Sequence, residues 1–228
     1  MSSFTHEWQK PWIKKESAVK KKTRAALIRK RLKKVYPHAK IALQYQNDIQ
    51  LLVAVILSAQ CTDKKVNEVT RALFAKYKTA KDFASADTKT LESEIRQTGF
   101  YHAKARSIKE ACGMIVKQFD GKIPQTMEEI TKLRGVARKT ANVVLGNAFG
   151  VVEGIAVDTH VRRLAQRLGF TKHENPDKIE RELIVLVPKK DWFRLTYLLI
   201  DHGRAICNAQ RPKCQECVLK DFCPSSRV

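Results

Sequence analysis

The sequence predicts an all-α protein. Three observations carry that expectation: apolar residues recur at helical spacing through most of the chain, no sustained alternation of period two appears, and the stretches between periodic segments are short. Ile155 to Val157 is the only strand-like fragment. Thr23 can cap a basic helix reaching about Tyr36, with Ile28, Leu32 and Val35 on one face and Pro37 ending it. Asp48 opens an apolar helix through Leu57 whose nearly all-round hydrophobicity marks the central buried element. Asp63 caps the next, with Val66, Val69, Leu73, Phe74 and Tyr77 at helical spacing, so Gln60 lies on the connection. Asp87 begins a short helix carrying Leu91 and Ile95 that stops at Gly99. A longer one follows with Ala105, Ile108, Cys112, Ile115, Val116 and Phe119 inward, closed by Asp120-Gly121. Asn175-Pro176 places a cap and an N1 proline in the expected order, and a last helix runs from about Trp192 to His202.

Lys and Arg number 44 against 23 Asp and Glu, a formal net charge of +21 over 228 residues with a sequence pI near 9.9. The partner should therefore be a polyanion. Nucleic acid comes first, because neutralising phosphates with release of counterions is the usual use of such an excess. An acidic membrane surface is the rival, but the most apolar stretch, Leu51 to Ala59, is too short to span a bilayer. The N-terminal stretch MSSFTHEWQKPW has no apolar core of a secretory signal, which points to an intracellular protein. Residues 1–22, ending in Val-Lys-Lys-Lys, read as a basic flexible arm, either a solvated tail or a DNA contact.

The chain is organised around residues 133–160, LRGVARKTANVVLGNAFGVVEGIAVDTH. Thr126 and Glu129 have capping-box spacing, so a short helix should run from about Met127 to Leu133. A second runs from Arg138 to Phe149 and closes at Gly150, leaving a tight hairpin turn built on Gly135. Lys139 falls in the first turn of the second helix, where unpaired N–H groups and the positive dipole end disfavour an ammonium and favour the neutral amine of a nucleophile. Asp158 precedes a helix ending at Gly169, and a helix N-terminus favours an anion.

Cys207, Cys214, Cys217 and Cys223 follow as C-x6-C-x2-C-x5-C. Four thiolates in so short a loop can enclose one metal ion or an iron–sulfur cluster. Four-cysteine zinc sites usually come as two separated C-x2-C pairs, and this chain has a single such pair, so the spacing favours a cluster. Arg211 and Lys213 project from the loop and are candidates to meet phosphates. Cys61 and Cys112 sit within helical patterns and read as core packing.

LRGVARKTANVVL, then AVDTH with nineteen residues from Lys139 to Asp158, then the cysteine run, together resemble the endonuclease III branch of the helix-hairpin-helix DNA glycosylases. LSAQCTD at Leu57 to Asp63, GFYHAKA from Gly99 and HGRAIC before Cys207 extend the likeness over roughly residues 25–224. The resemblance implies a DNA repair enzyme that flips a damaged base, mainly an oxidised pyrimidine such as thymine glycol, out of double-stranded DNA and also nicks abasic sites. It implies that Lys139 attacks the sugar C1′ to form a Schiff base and that Asp158 assists. Gly135, Val136 and Ala137, with Arg134 and Arg138 beside them, would cradle a backbone phosphate; Gln60 would fill the gap left by the flipped base and Phe100 would act as an apolar wedge. For Gln60 and Phe100 the plain alternatives are a helix-terminal polar residue and a satellite core contact. His160 and His202 are either substrate contacts or helix-terminal hydrogen-bonding groups. The cysteines would hold one 4Fe–4S cluster. The family architecture implies two helical lobes flanking a DNA-binding cleft, residues 41–151 in one and residues 23–40 with 152–228 in the other, in a monomer with no membrane partner.

The chain departs from the family's usual Leu-Pro-Gly-Val-Gly in two places: Arg134 replaces the proline and Ala137 the second glycine. If that glycine serves close phosphate approach, the Ala137 Cβ weakens DNA binding; at ordinary dihedrals alanine is harmless. An adenine-mismatch glycosylase shares hairpin, aspartate and cluster but lacks the lysine, and a non-catalytic DNA binder with structural zinc would use Lys139 and Asp158 as an ordinary phosphate contact and cap.

Overall fold

The structure, a computed structural model, describes residues 9–228; the first eight residues of the basic arm lie outside the described residues. Among the described residues every regular element is a helix, and Ile155 to Val157 forms no strand. The α-helices are α1 (Ala18–Val35), α2 (Asp48–Leu57), α3 (Asp63–Lys76), α4 (Ala80–Ser85), α5 (Thr88–Ile95), α6 (Tyr101–Gln118), α7 (Met127–Ile130), α8 (Arg138–Ala148), α9 (Thr159–Arg167), α10 (Pro176–Leu186) and α11 (Trp192–Ala205). None of them is long and apolar enough to cross a membrane. The chain divides into two compact units, Ile41–Glu153 in one and Met1–Lys40 with Gly154–Val228 in the other.

In the unit of α2 to α8, α2 is the buried axis: every residue from Ile49 to Leu57 is buried, including Gln50. A buried amide needs partners. The Gln50 side chain accepts the Gln46 amide at 2.9 Å and donates to the Phe74 carbonyl at 3.3 Å, tying α2 to α3. α8 packs on α2, and α6 covers α4 and α5 with Ala105, Ile108, Cys112 and Ile115 fully buried. No periodicity in the sequence announces α4. Its Thr79 and Asp82 make a full capping box, each side chain bonded to the other's backbone N–H.

The second unit packs α1 and α9 to α11 around Ile28, Leu32, Val161, Leu164, Ile179, Leu183, Leu195 and Leu199, with the cysteine loop closing over Leu219. Here α1 begins five residues before the expected Thr23 cap. The Ser17 hydroxyl accepts the Lys20 amide at 3.3 Å, and Thr23 lies inside the helix, donating to the Val19 carbonyl at 3.2 Å. The cause is a buried ion pair: Arg24 bonds both Glu16 carboxylate oxygens at 2.7 Å and donates to the Leu168 carbonyl at 2.6 Å. That fixes the preceding turn. Pro11–Lys15 is a 3-10 turn, with Arg24 above the Trp12 ring, and α1 starts at Ala18, so helical turns take up most of residues 11–22 of the expected arm. α2 opens at Asp48 as expected, with Asn47 as its cap, while the cap of α3 is Thr62 rather than Asp63, its hydroxyl accepting the Lys65 amide.

Candidate catalytic residues and cluster site

α7 ends at Ile130, and the chain turns through Leu133, whose carbonyl accepts the Val136 amide at 3.1 Å. Only half of the expected capping box forms there: Thr126 accepts the Glu129 amide, but its hydroxyl then donates to the Glu129 carboxylate at 2.7 Å. Gly135 takes φ +80°, and a Cβ there would sit 2.9 Å from the Ser107 Cβ. This turn requires glycine on both counts. Val136, 4% exposed, pins the turn to the core.

Ala137 is the N-cap of α8 at φ −81°, ψ 169°, extended backbone that any residue adopts, and it supplies no side-chain cap. The second family glycine is therefore unnecessary for conformation here. Ala137 offers the first turn of α8 no side-chain cap, and a helix N-terminus of this kind suits a phosphate oxygen. Lys139 stands in that turn and is exposed, as are Ala137 and Arg138. Arg134 is half exposed and ion-paired with Glu110 at 3.0 Å, so its charge is shared with α6. A surface pair of this kind is worth about 0–1 kcal/mol and can exchange for a phosphate.

Gln60 and Phe100 lie in the same unit. Both have positive φ, +53° and +48°, which is costly for residues other than glycine. Gln60 is exposed just beyond the end of α2, and Phe100 is 65% exposed, so Phe100 is no satellite core contact. An exposed aromatic on a strained backbone has the form of a side chain presented to a partner.

In the other unit Asp158 is half-buried and caps α9, its Oδ1 accepting the Val161 amide at 2.8 Å. His160 faces the Arg163 guanidinium, with Nδ1 3.2 Å from Nη2. Gly203 allows α11 to pack here, since a Cβ would lie 2.9 Å from that same Nδ1.

Cys207, Cys214, Cys217 and Cys223 line one cavity together with Arg163, Arg167, Lys213 and Lys220. A zinc site needs all its sulfurs about 2.3 Å from one point, whereas a 4Fe–4S cluster takes one thiolate per iron and spaces them further apart. Burial pushes the Cys223 thiol up to about 12 and also raises that of Cys217, so anionic ligands here need the compensating positive charge of metal. Donors already surround the sulfurs: Arg167 Nη1 is 3.3 Å from Cys207 and the Leu219 amide 3.4 Å from Cys217. The residues fit the cluster. His202, 2% exposed, reaches no substrate; burial lowers its pKa to about 4, so the ring is neutral, with Nδ1 3.1 Å from the Tyr36 hydroxyl and Nε2 3.4 Å from Cys217 Sγ. Sequence reasoning misses this outer shell, because Tyr36 and Cys217 lie far apart along the chain. Arg211 and Lys213 are exposed on the loop.

Residues 53–189 match the HhH-GPD superfamily of base excision DNA repair proteins, and residues 207–223 match the iron–sulfur binding domain of endonuclease III. The endonuclease III of Synechocystis sp. is 54% identical over 208 residues, covering 91% of this chain and 95% of the relative. Two solved structures, a non-covalent endonuclease III–DNA complex and a trapped endonuclease III–DNA covalent intermediate, each superpose with a TM-score of 0.86 at 41% identity, covering 90% of this chain and 96% of theirs. With both the helical body and the cysteine loop matched, the chain belongs to the endonuclease III family of base excision DNA repair proteins.

Proposed function

We propose that this chain, acting as a monomer inside the cell, removes oxidised, ring-saturated pyrimidines such as thymine glycol from double-stranded DNA through Lys139 and Asp158. Glycosylase action coupled to abasic-site lyase action is the activity of its family; the lesion class, the oligomeric state and the residue roles are the finer reading. The observation that carries it is the exposed Lys139 in the first turn of α8, a helix whose N-cap is alanine. A phosphate received by those N–H groups sets a sugar beside the amine. Lys139 Nζ attacks C1′ as the C1′–base bond breaks, the base leaving with a proton, and the Asp158 carboxylate stabilises the positive charge that develops on the sugar. The C1′–O4′ bond then breaks as O4′ takes up the proton the amine has lost, which opens the sugar ring and leaves the Schiff base; this acidifies the C2′ proton, whose removal expels the 3′ phosphate, and water releases the lysine.

Extruding the base opens a gap in the stack, which suits Gln60 as filler and Phe100 as wedge. The cluster, when bound, supplies metal–thiolate links that stiffen the loop bearing Arg211 and Lys213, whose cations suit the DNA backbone. Excision measured over a lesion panel tests the reading. Thymine glycol duplexes should be cleaved with β-elimination ends; preference for adenine opposite a mismatch, or binding without cleavage, would contradict it.

A further inference from the structure

Lys104 is the only buried lysine among the described residues, 5% exposed in the first turn of α6. Its Nζ donates to the Leu57 carbonyl at 2.7 Å and to the Thr98 carbonyl at 2.8 Å. Leu57 is the last residue of α2, and Thr98 closes the 3-10 turn after α5. Both carbonyls are helix-end acceptors of the kind that water normally satisfies. Here a single cation takes both, although burial and a helix N-terminus each disfavour it; burial accordingly lowers its pKa.

The residues just beyond the two carbonyls give this arrangement a use. Three residues after Leu57 comes Gln60, and two residues after Thr98 comes Phe100, both at positive φ and both exposed. The ammonium therefore fixes, from below, the spacing of two strained turns that each project one side chain. We propose that Lys104 is a positioning residue for base extrusion, holding the Gln60 and Phe100 turns in the register at which both side chains enter the duplex together. This rests on the roles assigned above to Gln60 and Phe100. Lys104 touches no substrate, and its loss should impair opening the duplex rather than the chemistry at C1′.

Two readouts separate those steps. Extrusion is followed by the fluorescence of 2-aminopurine placed opposite thymine glycol, with excision measured on the same duplex. Chemistry is followed by borohydride trapping at a preformed abasic site in single-stranded DNA, where no stack has to be opened. Lys104→Met keeps the apolar stem and removes both hydrogen bonds; extrusion and duplex excision should fall roughly tenfold or more, as expected for losing charged hydrogen bonds, while trapping stays within about threefold. Lys104→Gln, which reaches one carbonyl, should be intermediate, and it carries the comparison if the methionine variant does not fold. Equal loss of both readouts, or loss of neither, overturns the proposal. Gln60→Ala and Phe100→Ala are run beside them. If these leave extrusion unchanged, the roles of Gln60 and Phe100 fail and the proposal with them; if they impair it while Lys104→Met does not, the lysine alone is wrongly assigned.

Discussion

The N-termini of α8 and α9 are built from the same backbone chemistry and finished differently. α8 starts at Ala137, which offers its amides no side-chain acceptor, whereas α9 starts at Asp158, whose carboxylate accepts the Val161 amide. One end has no anion at its cap, and the other carries its own. In the proposed roles the contrast places unlike groups beside unlike tasks: the lysine is exposed in the first turn of α8, and the carboxylate is held by a cap. A helix end can thus be a docking site or an anchor, depending on a single residue.

Substitutions at these two ends sharpen the contrast. Asp158→Asn keeps an equivalent cap and removes only the charge, so excision should fall by roughly 10²–10³ while melting is unchanged; a melting loss as large as the activity loss would make Asp158 a structural cap alone. Gly135→Ala places a Cβ against Ser107 at φ +80° and should cost roughly 1–3 kcal/mol in a denaturant titration, with weaker binding to abasic DNA. Asp158→Ala removes the cap as well as the charge, and should cost about 1 kcal/mol of stability beyond the asparagine variant. Ala137→Gly should change least. Ala137 is an N-cap, where glycine is preferred over alanine, and this offsets the larger unfolded-state entropy of glycine, so stability should change by less than about 1 kcal/mol and affinity at fixed salt should stay unchanged. A clear gain in affinity there would mean that the Cβ obstructs the phosphate.

Most of the helices are legible in the sequence because long apolar periodicity and polar caps are local signals. α2 and α8 fall within a residue of their expected ends, and α6 ends within a residue or two of its own. α4 is invisible there because six residues are too few to display a period. The start of α1 is misplaced because what fixes it, the Glu16–Arg24 pair reaching Leu168, depends on a residue far along the chain. At the candidate site, Lys139, Asp158 and the four cysteines are readable from motif spacing. Lys104 is not, since in sequence a lysine reads as surface charge and only the fold shows two carbonyls closing on it. The same holds for His202, which sits between Tyr36 and Cys217 through contacts made by tertiary packing alone.

The most direct test of the central claim is the identity of the residue bound to DNA. Borohydride added during reaction with an abasic duplex should give a covalent adduct whose peptide maps to Lys139. In Lys139→Ala that adduct should fall by roughly three orders of magnitude or more, with DNA binding retained. Trapping undiminished in Lys139→Ala, or an adduct mapped to another lysine, would contradict the account.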